Sequence, residues 1–245
     1  MKKYNRFTTP VKKYITGTTE KNNSISVVIP AAGTGHRMKS YGPKCLLPIS
    51  AKETIIHKTI KNVKSVYPNS EITVVVGFEA DKVIRVLPSD VRVIENQLYQ
   101  ETNVVESLRL ALNSITNNKV LIVYGDLIFN TQTITGLTVG ESCVVVDSKN
   151  NFKNEEVGVT VADNVVTNFA YGLDTKWGQI AYLTDETLSL FKTLCSNRKR
   201  NKMYPFELFN LIINEGFKIG AIDPKGIKIQ EVDSLKDIKY ENNDI

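Results

Sequence analysis

An α/β fold is predicted for this 245-residue chain: a Rossmann-like three-layer sandwich with a mixed, mainly parallel sheet and a small antiparallel β extension. Three observations predict it. Short apolar, β-branched runs alternate with helix-period segments up to Asp126, the rhythm of a parallel sheet covered on both faces. After Asp126 the rhythm changes to short strands joined by tight turns, which reads as an antiparallel section beside the parallel sheet. Apolar residues make up 42% of the chain, and its length suffices to bury one large core.

Each element has a local reason. Residues 25–31 are β-branched and apolar and run into small turn residues, so they read as a strand. Residues 53–67 put Ile56, Ile60 and Val63 on one helical face, and Pro68 stops the helix. Residues 71–76 form a second buried strand ended by Gly77; residues 79–87 read as a short helix and residues 91–94 as a third strand. An amphipathic helix covers 103–115 through Val104, Leu108, Ala111, Leu112 and Ile115. The fourth strand, 120–124, runs straight into Gly125 and Asp126. Short strands follow at 142–147, 157–162 and 165–171, with Asp163-Asn164 as the turn between the last two. Helices return at 185–195 and 204–215, then strands at 217–222 and 227–232, and a closing helix at 234–240.

Charge and cysteine usage narrow the class. The net charge is +5, but six of the 31 basic residues and one of the 26 acids lie in residues 1–24, which leaves 25 of each sign in the rest. A neutral body argues against a broad nucleic-acid surface. The basic extension 1–24 reads as a solvated tail, an extra edge strand or a contact arm. The cluster from Arg198 to Lys202 reads as a solvated turn between helices or as a contact to an anionic partner. No apolar run reaches the length of a membrane span, and the N-terminus lacks the apolar region of a secretory signal. Cys45, Cys143 and Cys195 are scattered, form no metal-binding pair and read as buried reduced thiols of a cytoplasmic protein.

The chemistry is concentrated in one stretch. Ala31-Ala32-Gly33-Thr34-Gly35 follows the first strand, and Arg37 and Lys44, the latter after Pro43, stand behind it. Glycines at 33 and 35 can take positive φ and let backbone N–H groups approach an anion. The spacing is not a P-loop, nor the dinucleotide fingerprint, because Met38 stands where that pattern needs its third glycine. Asp126, at the carboxyl end of a buried strand, can offer a hard oxygen to Mg²⁺ or simply close a turn. Asn103 and Ser107 share a helical face, and Asn103 reads equally as an N-cap. Gly77 leaves room for a base against the backbone. His57 falls in a helical pattern and reads as structural, whereas His36 lies in the loop and is a candidate nucleotide contact. The aromatic residues Phe169, Tyr171, Trp177, Tyr182 and Tyr204 are either core or a surface for an organic cation.

The residues AAGTGHRM…PK resemble the signature of nucleotidyltransferases with a glycosyltransferase-A-like fold. That family includes sugar-1-phosphate nucleotidyltransferases, phosphocholine cytidylyltransferases and the isoprenoid-pathway cytidylyltransferase. The resemblance implies that 25–245 is a nucleotidyltransferase domain. Residues 31–35 and Gly125 would then hold a triphosphate, while Arg37 and Lys44 would be the catalytic cations that neutralise charge at the α-phosphate and on pyrophosphate. Glu231-Val232-Asp233 with Asp237 resembles the E-[IV]-D-x-x-x-D stretch of the phosphocholine-type enzymes. It implies that Asp233 joins Asp126 in holding Mg²⁺; the alternative for Asp233 is an N-cap, and Asp237 reads as structural. Asn103 to Leu108 resembles the N-x-x-S-L segment of the nucleoside pocket. Trp177 to Tyr182 is similar to the acceptor-side segment, which makes Tyr171, Trp177 and Tyr182 the acceptor candidates. The absence of a His-Asp-Ala-Ala-Arg segment argues against the isoprenoid activity.

The expected function is transfer of CMP, or another NMP, from an NTP to a phosphorylated small molecule such as phosphocholine or a sugar phosphate, with release of pyrophosphate. The expected partners are an NTP, with CTP favoured, and that phosphomonoester; a homo-oligomer is compatible with the sequence. A phosphomonoester has a second pKa of about 6, so it attacks as a dianion and no catalytic base is needed. The alternative is a non-catalytic nucleotide-binding regulatory module tethered by the basic extension.

Overall fold

In the computed structural model, residues 24–34, 42–138, 140–149, 156–233 and 237–238 are described. The strands are β1 (Ser26–Pro30), β2 (Glu71–Val76), β3 (Arg92–Glu95), β4 (Lys119–Val123), β5 (Leu127–Phe129), β6 (Cys143–Asp147), β7 (Val157–Ala162), β8 (Val165–Tyr171), β9 (Thr175–Thr184), β10 (Gly220–Ile222) and β11 (Ile229–Glu231). The helices are α1 (Ile55–Val66), α2 (Ala80–Ile84), α3 (Val104–Leu112), α4 (Asp185–Ser196) and α5 (Pro205–Asn214). A 3-10 turn at Lys44–Leu46 precedes α1, and another at Arg198–Arg200 separates α4 from α5.

Nine strands form one sheet in the order β3-β2-β1-β4-β9-β6-β10-β8-β7. The first four are parallel, β9 runs antiparallel to both β4 and β6, and β8 runs antiparallel to β10 and β7. The expected antiparallel extension is therefore not a separate piece beside a parallel sheet. It continues the same sheet, because β9 pairs along β4 from Lys119↔Thr184 to Val123↔Ile180. β9 was not expected as a strand at all. Gly178-Gln179 interrupts its apolar run with residues of low strand propensity, and the β6–β9 register shifts at that point.

Central strands alternate their side chains between two cores. Val28, Val75, Val120 and Ile122 face α3, α4 and α5 through Leu108, Leu188, Phe191 and Phe209. Val27, Ile29, Ile72 and Val74 face α1 through Ile56, Ile60 and Val63. Helices thus cover both faces, which explains why β1 is buried at all five positions and reads as a continuous apolar run. Each fully buried aliphatic side chain contributes about 1.5–3 kcal/mol. The Asp163-Asn164 turn is as expected: both residues have positive φ, 51° and 61°, as a two-residue type I′ hairpin requires.

Other boundaries move inward. The helix expected over 79–87 is Ala80–Ile84, that over 103–115 stops at Leu112, and the strands expected at 217–222 and 227–232 shorten to β10 and β11. The closing helix expected at 234–240 lies mostly outside the described residues, as do residues 1–23. All three cysteines are buried, and burial pushes their thiols up to about 12, so they act as small apolar residues. Among the described residues no helix is long and apolar enough to cross a membrane.

Candidate active site

The site is built where β1 ends. Ala31 N–H donates to Val75 O at 2.8 Å, Phe78 N–H donates to Ala32 O at 3.0 Å, and Gly125 N–H donates to Pro30 O at 3.1 Å. The small-residue turn is thereby clamped between the ends of β2 and β4. A β-carbon at Gly77 would lie 2.8 Å from Ala32 O, and one at Gly125 would lie 2.8 Å from Pro30 O. Both glycines are required by this close backbone approach. Gly33 behaves differently. Its φ is not positive, contrary to expectation, and nothing lies within 4 Å of where its β-carbon would be. Thr34 beside it is half-buried. Gly35, His36 and Arg37 lie outside the described residues.

Lys44 reaches this turn from the other side. Pro43, extended at φ −61° and ψ 129°, leads into the 3-10 turn that carries it. Leu47 at the end of that turn packs with Ile55, Val232 and Ile238, which draws the Lys44 segment against the chain that carries Asp233. Asp126 and Asp233 are brought together in turn by the β5–β11 pairing, and Val232 N–H donates to Asp126 O at 2.9 Å. The outcome is a triad: Lys44 Nζ lies 3.0 Å from Asp233 Oδ1 and 3.5 Å from Asp126 Oδ2. Asp237 Oδ2 accepts from Asp233 N–H at 3.0 Å, which steadies that backbone and agrees with a structural role for Asp237.

Charge in the triad is mutually adjusted. Burial works against the Lys44 ammonium, but Asp126 and Asp233 outweigh it and hold its pKa above the ordinary value. Burial raises the Asp126 carboxyl, and Lys44 opposes that rise without cancelling it. Glu231 was not among the expected site residues, although it sits in the Glu-Val-Asp triplet. Burial, with Asp126 and Asp233 nearby, pushes its carboxyl up to about 7. Gln179 donates its side-chain amide to Glu231 Oε2. Gln179 lies in the Trp177–Tyr182 segment singled out in the sequence, but only the aromatic residues of that segment were expected to act.

Other expected residues go elsewhere. Asn103 N-caps α3, its side chain accepting from Val104 N–H at 2.9 Å, while its own N–H donates to Asn201 O. It lines a cavity of about 420 Å³ with Leu98, Gln100, Thr102 and Lys202. Ser107 is a correction: it is buried and accepts from Asn96 Nδ2 at 3.1 Å, so its hydroxyl is engaged inside the fold. Trp177 and Tyr182 are corrections too. Trp177 is 3% exposed and packs edge-on against Tyr124, Phe169 and Phe209, and Tyr182 is fully buried in the opposite core. Tyr171 alone of the three is open, 54% exposed, and meets Phe206, which stacks on Tyr204. His57 is structural as expected, bonded to Thr54 Oγ1 and Val86 O.

Mg²⁺ fits this donor set in one way. Among the described residues no three His, Cys, Asp or Glu side chains form a metal cage. Mg²⁺ usually takes one or two carboxylates and completes its shell with water and substrate phosphates. Asp126 and Asp233, which already converge on one cation, meet that requirement beside a turn open enough for phosphates.

Comparison with known proteins agrees with this fold. The model of the MobA-like NTP transferase domain family matches residues 27–194. The bifunctional protein GlmU of Lactococcus lactis subsp. cremoris (strain MG1363) is 33% identical over 120 residues, covering 48% of this chain and 24% of that protein. GlmU of Francisella tularensis subsp. novicida (strain U112) is 32% identical over 140 residues, 56% of this chain and 28% of the relative. The aligned region thus spans about a quarter of the length of these curated relatives. Among solved structures, the CTP:phosphocholine cytidylyltransferase of Streptococcus pneumoniae superposes with a TM-score of 0.67 at 19% identity, covering 87% of this chain and 95% of that one. The inositol-1-phosphate CTP transferase of T. maritima superposes with a TM-score of 0.69 at 16% identity, covering 87% and 91%. At these identities the superpositions show the fold.

Proposed function

The chain belongs to the MobA-like NTP transferase domain family, and from that premise we propose that it is a Mg²⁺-dependent nucleotidyltransferase. It moves an NMP, most readily CMP, from an NTP to a phosphorylated small molecule and releases pyrophosphate. Residues 25–245 form the transferase domain, a Rossmann-like three-layer sandwich, and residues 1–24 form a basic extension to it. The observation that carries this reading is the convergence of Lys44, Asp126 and Asp233 beside the Ala31–Thr34 turn.

The turn holds the triphosphate, with the open face of Gly33 letting phosphate oxygens reach the backbone. Asp126 and Asp233 would hold Mg²⁺, which would supply charge neutralisation at the phosphate oxygens. Lys44 is held near the reacting α-phosphate by the same two carboxylates. A dianionic phosphomonoester oxygen forms the new bond to the α-phosphorus as the bond to pyrophosphate breaks, and no proton has to be removed. Lys44 donates to the negative charge that accumulates, and Arg37 is its expected partner in that role. Tyr171, exposed beside Phe206 and Tyr204, contacts the acceptor. The preference for CTP is supported by the Glu231-Val232-Asp233 stretch and by the likeness to two structures described as CTP-using enzymes. The acceptor is of the phosphocholine or sugar-phosphate type.

The test is pyrophosphate release from CTP, UTP, GTP and ATP with Mg²⁺ across a panel of phosphomonoesters that includes phosphocholine and sugar 1-phosphates. Release with CTP above the other nucleotides is expected. Thermal stabilisation by a nucleotide without release from any pair would mark a binding module instead.

A further inference from the structure

Lys44 is carried by a short segment that is held at both ends. Beyond it, Leu47 packs with Ile55, Val232 and Ile238. Before it stand Gly42 and Pro43, both buried. The ring of Pro43 fixes φ at −61°, and the 3-10 turn follows at once, so little freedom separates Gly42 from Lys44. Gly42 itself has φ +82°, and a β-carbon there would lie 2.9 Å from Glu79 Oε2. The Glu79 carboxylate therefore rests against the backbone that leads into Lys44.

Glu79 makes this contact from an unfavourable conformation. Its φ is 47°, in the left-handed region that residues other than glycine rarely enter. Its Oε1 accepts from Lys82 Nζ at 2.7 Å, whereas Oε2 is buried and takes no hydrogen bond among the described residues. A strained backbone and a buried, unpartnered carboxylate oxygen both lower stability, and such features persist where surrounding structure enforces them at a working site. The surroundings here belong to the site. Glu79 follows Gly77 and Phe78, and Phe78 N–H donates to Ala32 O at 3.0 Å in the small-residue turn. We propose that Glu79 is a positioning residue for Lys44. Fixed to the small-residue turn through its backbone and oriented by Lys82, its carboxylate braces Gly42 and so sets where the Lys44 ammonium meets the α-phosphate. This rests on the transferase reading above. Glu79 touches no substrate in this role; it links the segment that holds the triphosphate to the one that carries the cation.

The experiment uses the full chain, with steady-state pyrophosphate release measured against each substrate and thermal unfolding followed in parallel. Glu79→Gly removes the strain and the unpartnered oxygen, so its melting temperature is expected to equal or exceed the parent's. Its kcat is expected to fall at least tenfold with both KM values within threefold, because Lys44 acts on charge that develops during the reaction. Glu79→Gln keeps the shape that meets Gly42 and should retain kcat within threefold. A thermal cycle checks the contact without activity: Gly42→Ala should lower the melting temperature less in the Glu79→Gly background than in the parent, because its methyl group no longer meets the carboxylate. A kcat of Glu79→Gly within threefold of the parent overturns the positioning role. So do a loss confined to one KM, equal losses in Glu79→Gly and Glu79→Gln, or additive effects in the thermal cycle. If Glu79→Gly does not fold, Lys82→Ala decides, since it leaves the backbone at 79 unchanged and frees the carboxylate: kcat falls at least threefold, or the role is rejected. A parent protein that binds nucleotide but releases no pyrophosphate with any acceptor overturns the transferase reading and this proposal with it, whereas an active parent with an unchanged Glu79→Gly overturns the positioning role alone.

Discussion

In the proposed reaction Lys44 is the residue that meets the developing charge, and its environment explains how it is held. Its ammonium is placed by two carboxylates, at 3.0 and 3.5 Å, before any substrate arrives. Lys44→Ala is expected to lower turnover at least a hundredfold, about 3 kcal/mol of transition-state stabilisation, as measured by pyrophosphate release. The same variant leaves Asp126 and Asp233 facing each other without their cation, so its folding should lose stability as pH rises from acid to neutral, while the alkaline loss of stability that the raised Lys44 pKa gives the parent should disappear. Glu231 makes a second pH prediction. Its folded pKa of about 7 stands above the ordinary 4.5, so between those values the folded protein keeps a proton that the unfolded chain has released. Stability of the metal-free protein should therefore fall as pH rises from about 4.5 through 7. Thermal midpoints of Glu231→Gln across that range should show a flatter slope. Lys44, Asp126 and Asp233 were legible in the sequence because each lies in a short motif whose chemistry is local. Ser107 was misread: spacing along a helix shows which residues share a face, and here that face turns inward to Asn96.

At the scale of elements, the convergence of Lys44, Asp126 and Asp233 depends on how few residues hold the loops. The two-stranded β5–β11 sheet joins positions 126 and 233 across more than a hundred residues of chain. β11 lies inside the strand expected at 227–232, whereas β5 was not expected, since its three residues carry no usable periodicity. Helix α3 shows one side chain capping the helix and facing a cavity at the same time. Asn103 accepts from Val104 N–H, so Asn103→Ala should cost about 1 kcal/mol of stability in chemical denaturation, whereas Asn103→Asp should retain the cap. If Asn103 also contacts the nucleoside, both variants will raise the nucleotide KM, which separates capping from recognition. Gly125 and Gly77 were legible as glycines that matter, but for a ligand. Their packing against Pro30 O and Ala32 O appears only when three strand ends are brought side by side.

At the scale of the molecule, two cores flank one nine-stranded sheet, and the aromatic residues expected near the acceptor divide: Phe169 and Trp177 lie in one core, Tyr182 in the other, and Tyr171 and Tyr204 are exposed. Phe169, Trp177, Phe191 and Phe209 form a connected cluster with ring centroids 5.2–5.8 Å apart. Phe209→Ala should cost about 3–5 kcal/mol, read as a loss in denaturation midpoint. Trp177, the single tryptophan, reports on that core directly: its emission should be blue-shifted in the folded protein and move to the red together with the loss of helical circular dichroism. The sequence by itself determined the alternating β–α half, the small-residue turn, the cation behind it and the two carboxylates, because each follows from local periodicity or from residue chemistry at short spacing. Only the tertiary structure decided which aromatic rings are open to solvent and which are core. It alone made β9 a strand inside the main sheet and paired Gln179 with Glu231. Those outcomes depend on strand pairing between distant segments and on a bulge whose backbone a neighbouring strand imposes, and no spacing along the chain encodes either.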